Sequence, residues 1–180
     1  MMTLQNKTRV LSVLLLTAAL FQTAPVIAKT LCDDTIQHEV ERQIGESGKL
    51  RSTVIEVHVK ERVVVLTGQV WLYEQKLISD RIAWTTPGVF EVDNEIRVIP
   101  KTPMSDANIE RKIRKIINAD EQLRVSDVKI NVANGEVVLI GSFLSLHDPS
   151  RLKHKVAEIE GVIEIRISAV FFSYLSGNKR

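Results

Sequence analysis

Four basic residues, Arg111, Lys112, Arg114 and Lys115, fall within five positions of a stretch whose Ile109, Ile113, Ile116 and Ile117 recur at helical spacing. At 100° per residue, Arg111, Arg114 and Lys115 turn away from the isoleucine stripe and Lys112 lies on its flank. The chemistry such a face offers is noncovalent: clustered cations on a wet helix attract an anionic surface such as phospholipid headgroups. A plain solvated helix shows the same composition, because Arg and Lys are good helix formers. Reactive side chains are sparse by comparison. His38, His58, His147 and His154 are scattered, and none has metal-ligand spacing to a Cys or a paired carboxylate. His58 sits between Glu56 and Lys60 on the wet parity of a strand. No nucleophile elbow, P-loop or dinucleotide fingerprint occurs. The expectation is a protein that is not an enzyme and takes no metal or cofactor.

The elements that would carry these residues repeat. From Thr53 to Val70, Ile55, Val57 and Val59 alternate with polar residues, the chain turns at Lys60-Glu61-Arg62, and Val64, Leu66 and Val70 return on one parity with Gly68. Val128, Ile130 and Val132, the hairpin turn Asn134-Gly135, then Val137, Leu139, Gly141 and Phe143 rebuild that hairpin 73 residues later. Ahead of each hairpin stands a helix: Ile36, Val40 and Ile44 after the N-cap candidates Asp33 and Asp34, ending at Gly45 and Gly48, then the isoleucine helix after Ser105 or Asp106. Behind each comes a second helix. The first runs from Leu72 to Thr85, inward through Ile78, Ile82 and Ala83, and the other from His147 to Glu160 with Pro149 in its first turn. A last strand closes each unit: Phe90, Val92, Ile96 and Val98 with Asn94 as the polar exception, then Ile163, Ile165, Ile167 and Ala169. Gly88 and Gly161 punctuate the turns before these strands. The fold class expected is α+β, two tandem αββαβ units, each a small three-stranded mixed sheet packed with two helices. Gly68 and Gly141 are read as structural glycines where backbone approaches a helix closely.

Lys7 and Arg9, the apolar run Val10–Phe21 and Val26-Ile27-Ala28 have the order of a secretory signal peptide cleaved after Ala28. The apolar core is short of the ~20 residues a membrane span needs. Removing it takes the net charge of +2 to about zero, which leaves no strong field for nucleic acid. Between Asp33 and Pro100 acids outnumber Lys plus Arg twelve to eight, whereas from Pro103 to Phe172 they balance at ten each. Cys32 is the only cysteine, so no intrachain disulfide forms. Lys29-Thr30-Leu31 argues against lipid modification there, leaving a free thiol or a half-buried inert one. Pro100-Lys101-Thr102-Pro103 favours a short extended linker. The organisation is therefore a leader over 1–28, units over 33–100 and 105–173, a linker over 101–104 and a tail over 174–180.

The hairpin pattern Val57, Val59, Val64, Leu66, Gly68, Val70, the Pro87-Gly88-Val89 turn and Val92-x-Asn94-x-Ile96-x-Val98 resemble the BON domain of tandem envelope proteins of the OsmY type. The second copy matches through Val137, Leu139, Gly141, Phe143 and Gly161-Val162 and departs at Ile167. The resemblance implies a periplasmic module associated with phospholipid membranes and linked to osmotic stress or envelope integrity. It thereby points to an anionic phospholipid surface as peripheral partner of the basic helix, with an envelope protein partner as the rival reading. At roughly 1 kcal/mol per cation near an anionic leaflet, the basic helix, partly offset by Glu110, supplies about 3 kcal/mol, weaker than millimolar binding. Apolar insertion must add to it. The sequence offers Trp71 and Tyr73 at a strand end, or Phe171, Phe172, Tyr174 and Leu175 before Lys179-Arg180.

Overall fold

The computed structural model describes residues 32–124 and 127–171. The expected leader with its cleavage point lies outside the described residues, as do Phe172, Tyr174, Leu175 and the basic tail.

In the first unit, α1 (Asp33–Glu46) buries Ile36, Val40 and Ile44, the i, i+4, i+8 stripe. It passes through Gly45, and ends where Ser47 N–H closes on Gln43 O and Ile44 O. β1 (Val54–Lys60) and β2 (Val63–Val70) pair antiparallel with Val57 opposite Leu66 and Val59 opposite Val64. α2 (Tyr73–Thr85) follows, and its buried residues are Tyr73, Gln75, Ser79 and Ala83. The expected Ile78 and Ile82 are only partly buried. Polar residues can line this helix because they are satisfied locally. Gln75 Oε1 accepts the N–H groups of Trp71 and Leu72 at 2.9 and 3.2 Å, its Nε2 donates to Lys49 O at 2.9 Å, and Ser79 Oγ donates to Gln75 O at 2.9 Å.

The last strand of this unit is broken into β3 (Glu91–Asn94) and β4 (Arg97–Val98), both parallel to β2, so the sheet has four strands instead of three. The break falls just after Asn94. Asn94 Nδ2 reaches Lys76 O and Asp80 Oδ1 on α2, at 3.2 and 3.3 Å, and its Oδ1 accepts Ile96 N–H at 3.3 Å. The side chain thus serves an N–H that lies off the ladder, while Glu95 N–H keeps its bond to Leu66 O on β2 at 2.8 Å. Phe90, expected on the buried parity, precedes β3 and is 68% exposed.

In the second unit, α3 (Asp106–Ala119) buries Ile109, Ile113 and Ile117. A short α4 (Glu121–Arg124), not foreseen from sequence, is started by Asp120, whose Oδ1 accepts the N–H groups of Gln122 and Leu123. β5 (Asp127–Ala133) and β6 (Glu136–Phe143) form the hairpin. α5 (Asp148–Ala157) ends three residues before the expected Glu160. β7 (Glu164–Phe171) is unbroken and parallel to β6, with Ile167, the counterpart of Asn94, opposite Leu139.

Two apolar cores result, and Val98 packs against both while Tyr73 of the first unit enters the second. Leu77 packs against the core of the second unit too. Lys153 Nζ lies 6.0 Å from the Tyr73 ring centre, and Thr102 N–H donates to Glu160 Oε1 at 3.0 Å. The units are docked through α2 and the linker.

At Gly68, φ is +125° and an added Cβ would collide with Val54 O. At Gly141 it would lie 2.7 Å from Asp127 O. The close neighbour is therefore the backbone of the antiparallel partner strand, not the helix expected from sequence. Gly88 and Gly161 adopt φ of +96° and +92°, the left-handed region that glycine enters without steric cost.

Candidate functional site

The placement of the basic helix follows from its first residue. Ser105 is the N-cap and its side chain makes no capping bond among the described residues. Asp106 instead reaches across to the hairpin, where Oδ2 accepts Asn134 N–H and Oδ1 accepts Gly135 N–H, both at 2.9 Å. Asp33 does the same in the first unit, accepting Glu61 N–H and Arg62 N–H at 2.7 and 2.9 Å. These acids were read from sequence as helix caps. They clasp hairpin tips. Each first helix thus starts at its turn and runs along the sheet toward the opposite end, which in the second unit holds α4 and the β6–α5 loop.

Arg111, Lys112, Arg114 and Lys115 are all exposed. Arg114 donates to Glu110 Oε1 through Nε and Nη2 at 3.1 and 2.6 Å, and Arg111 Nη1 donates to Asn108 Oδ1 at 2.8 Å. Among the described residues, Arg111, Lys112 and Lys115 form no salt bridge. The matching face of α1 is self-compensated: Arg42 bridges Glu39 and Glu46 at 2.6 Å each, and His38 lies 3.7 Å from Glu41. Hydrogen bonds from Arg42 and Gln43 hold the Glu39 carboxyl down at about 2. One scaffold thus carries a net acidic face in the first copy and a net cationic face in the second.

The aromatic candidates separate. Tyr73 is 8% exposed in the inter-unit core, and burial pushes its phenol pKa up. Trp71 is half-buried, with Lys101 Nζ 3.6 Å from its ring centre. Neither is placed to enter a bilayer. Phe171, at 43%, is exposed. Leu144 and Leu146 on the β6–α5 loop, 56% and 75% exposed, were not singled out from sequence. The repeat held the signal, since the 73-residue offset maps them onto Trp71 and Tyr73.

Beside this loop is a cavity of about 470 Å³ lined by Glu121, Gln122, Leu144, Ser145, His147, Asp148 and Arg151. Asp148 Oδ2 accepts Ser145 N–H at 3.2 Å, while buried Oδ1 has no partner among the described residues. His147 and His58 are exposed, and His154 Nδ1 contacts Ser150 O at 2.7 Å. Among the described residues no group of three His, Cys, Asp or Glu could hold a metal ion. No described helix is long and apolar enough to cross a membrane. Cys32 is exposed, not half-buried, and a hydrogen bond from Thr35 lowers its thiol pKa.

The repeated geometry has a counterpart in known proteins, for the BON domain matches residues 33–100 and again 105–169. The chain belongs to the BON-domain family. The chain is 27% identical over 157 residues to the outer membrane lipoprotein DolP of Haemophilus influenzae, covering 82% of this chain and 81% of that protein. An uncharacterised protein encoded in the gshII 5′ region of Anaplasma centrale is 31% identical over 114 residues, 61% of this chain and 74% of the relative. Among solved structures, CdsD, a structural protein of the type III secretion system of Chlamydia trachomatis, aligns with TM-score 0.34 and 15% identity over 82% of this chain and 66% of that one.

Proposed function

We propose that this BON protein is an exported, non-enzymatic envelope component that lies peripherally on anionic phospholipid at a periplasmic membrane face. The second unit makes the contact, through Arg111, Lys112, Arg114 and Lys115 on α3. The observation that carries this reading is the contrast between equivalent helices: α1 cancels its cation against Glu39 and Glu46, whereas α3 leaves Arg111, Lys112 and Lys115 outside any salt bridge among the described residues. Repetition of an otherwise matched scaffold makes the difference in charge informative. Similarity to an outer membrane lipoprotein supports an envelope location. The leader over 1–28 with cleavage after Ala28 belongs to the same proposal, as does a role in envelope integrity or osmotic stress. A protein partner is the second reading, favoured by the exposed Trp84 and Phe90 on the first unit.

Reversing Arg111, Arg114 and Lys115 to Glu tests the assignment. The positions are exposed, so folding should be retained. Co-sedimentation of the mature chain with phosphatidylglycerol-containing vesicles should be lost in the variant and should weaken with salt in the wild type. Arg42→Glu should bind as wild type does. Salt-independent binding that survives the triple reversal would refute the role of α3.

A further inference from the structure

We propose that Leu144 and Leu146, on the β6–α5 loop, form the apolar wedge that enters the acyl boundary of the leaflet that α3 meets. The proposal rests on the reading above. In the first unit the matching positions are Trp71, just before α2, and Tyr73, its first residue; Trp71 is half-buried with Lys101 over its ring, and Tyr73 is part of the second unit's core. In the second unit these positions remain apolar but stand open, 56% and 75% exposed.

The loop is held in shape. Asp148 Oδ2 accepts Ser145 N–H, Ser145 Oγ accepts His147 N–H and Asp148 N–H donates to Ser145 O, each at 3.2 Å. The leucines are therefore presented outward on a braced turn. Charge selects the occupant. α3 runs from the hairpin tip to this end of the sheet, which places Lys115 in the half of the helix nearer the loop. The acid Asp120 is taken by Lys155 at 2.8 Å and by Arg151 at 3.7 Å, Asp148 is buried and tied to Ser145, and Glu121 is the exposed acid beside the loop. A short exposed apolar tip on the unit that also carries a cationic helix suits an interfacial membrane contact.

The test uses the mature chain and vesicles of phosphatidylglycerol and phosphatidylcholine. Leu144→Ser/Leu146→Ser should keep the wild-type melting temperature and bind about tenfold more weakly, the loss expected when two partly inserted leucines are removed. In a Leu146→Trp variant, brominated acyl chains should quench fluorescence well beyond the level given by Trp71 and Trp84 in the wild type. If the double serine variant binds like wild type and the indole introduced by Leu146→Trp escapes quenching while the α3 reversal still abolishes binding, the wedge is refuted and the role of α3 stands. If the wild type ignores these vesicles, both readings fall. Loss of a chain dimer in the serine variant with unchanged vesicle binding would assign the leucines to self-association and overturn the wedge.

Discussion

Replacing Asp33 or Asp106 by Ala should loosen a hairpin that the aspartate touches from a distance of nearly thirty residues in sequence. Each carboxylate accepts two backbone N–H groups at 2.7 to 2.9 Å. Water can reclaim those amides, so about 1 kcal/mol is lost per charge-assisted bond, and roughly 0.5 kcal/mol more for an acid removed from a helix start. The total is about 2.5 kcal/mol, which for a docked pair of this size lowers the melting temperature by ~10 °C. The two turns should not respond alike. Glu61 and Arg62 hold φ of +52° and +67° without a glycine, whereas the second turn is Asn134-Gly135. The left-handed region costs ordinary residues about 1 kcal/mol each, so a turn released from Asp33 gains more by rearranging than one released from Asp106. Asp33→Ala should therefore be the more destabilising change, and Glu61→Asn should recover part of its loss. Amide hydrogen exchange read by NMR at Glu61, Arg62, Asn134 and Gly135 reports each clasp separately. Unchanged exchange at these amides, with melting shifts under about 2 °C, would refute the reasoning.

Other consequences can be checked in the same chain. Gly68→Ala should cost about 3 kcal/mol by denaturant titration and Gly141→Ala about 1–2, because only the former adds a positive φ to a clash with strand backbone. Tyr73→Ala should lose about 3 kcal/mol and split unfolding into separate transitions of the two units, since Tyr73 carries the first unit into the core of the second. In an NMR titration the Glu39 carboxyl should stay ionised down to about 2, and Arg42→Ala should return it toward 4.5. A depressed carboxyl favours the folded state above the unfolded value, so this contribution fades as pH falls from 4.5 toward 2. Cys32 should react with thiol reagents at lower pH than free cysteine, and Thr35→Val should reverse the difference.

The sequence carries the fold well where one periodicity governs a whole element. Ile36, Val40 and Ile44, and the alternation through Val57 and Val59, need only burial of one face, and helix and strand form where those patterns run. α2 was harder to read because its inward face includes Gln75 and Ser79, whose polarity hides a helix face that hydrogen bonds to Lys49 O and Gln75 O satisfy. Nor does the strand pattern reveal that the Asn94 amide reaches back to Lys76 and Asp80. Among the residues of the candidate surface, the cations were legible because helical angle alone exposes them. The aromatic residues were not, because the exposure of Trp71 and Tyr73 depends on contacts with Lys101 and the second unit's core, which are tertiary facts.

Tandem docking also bears on the proposal that the second unit, rather than the first, makes the membrane contact. The segment after β2 is apolar in both copies, as Trp71 with Tyr73 and as Leu144 with Leu146. A unit followed by another buries that segment against its neighbour and gains stability, and Tyr73 is used in this way. Among the described residues, nothing covers the equivalent segment of the second unit, so its leucines remain available. The same unit carries the uncompensated cations of α3, and acids hold no majority over its sequence. Position in the array and local charge therefore favour the same end of the protein. Exchanging the loop residues between units, Leu for Trp71 and Tyr73 and the aromatic pair for Leu144 and Leu146, separates the two contributions. Inter-unit stability should fall with the first exchange, while vesicle binding should survive the second, since Trp and Tyr suit a membrane interface as well as leucine does. Binding lost on the second exchange in a folded chain would mean that the shape of a protein pocket, rather than the apolar character of a leaflet, reads this loop.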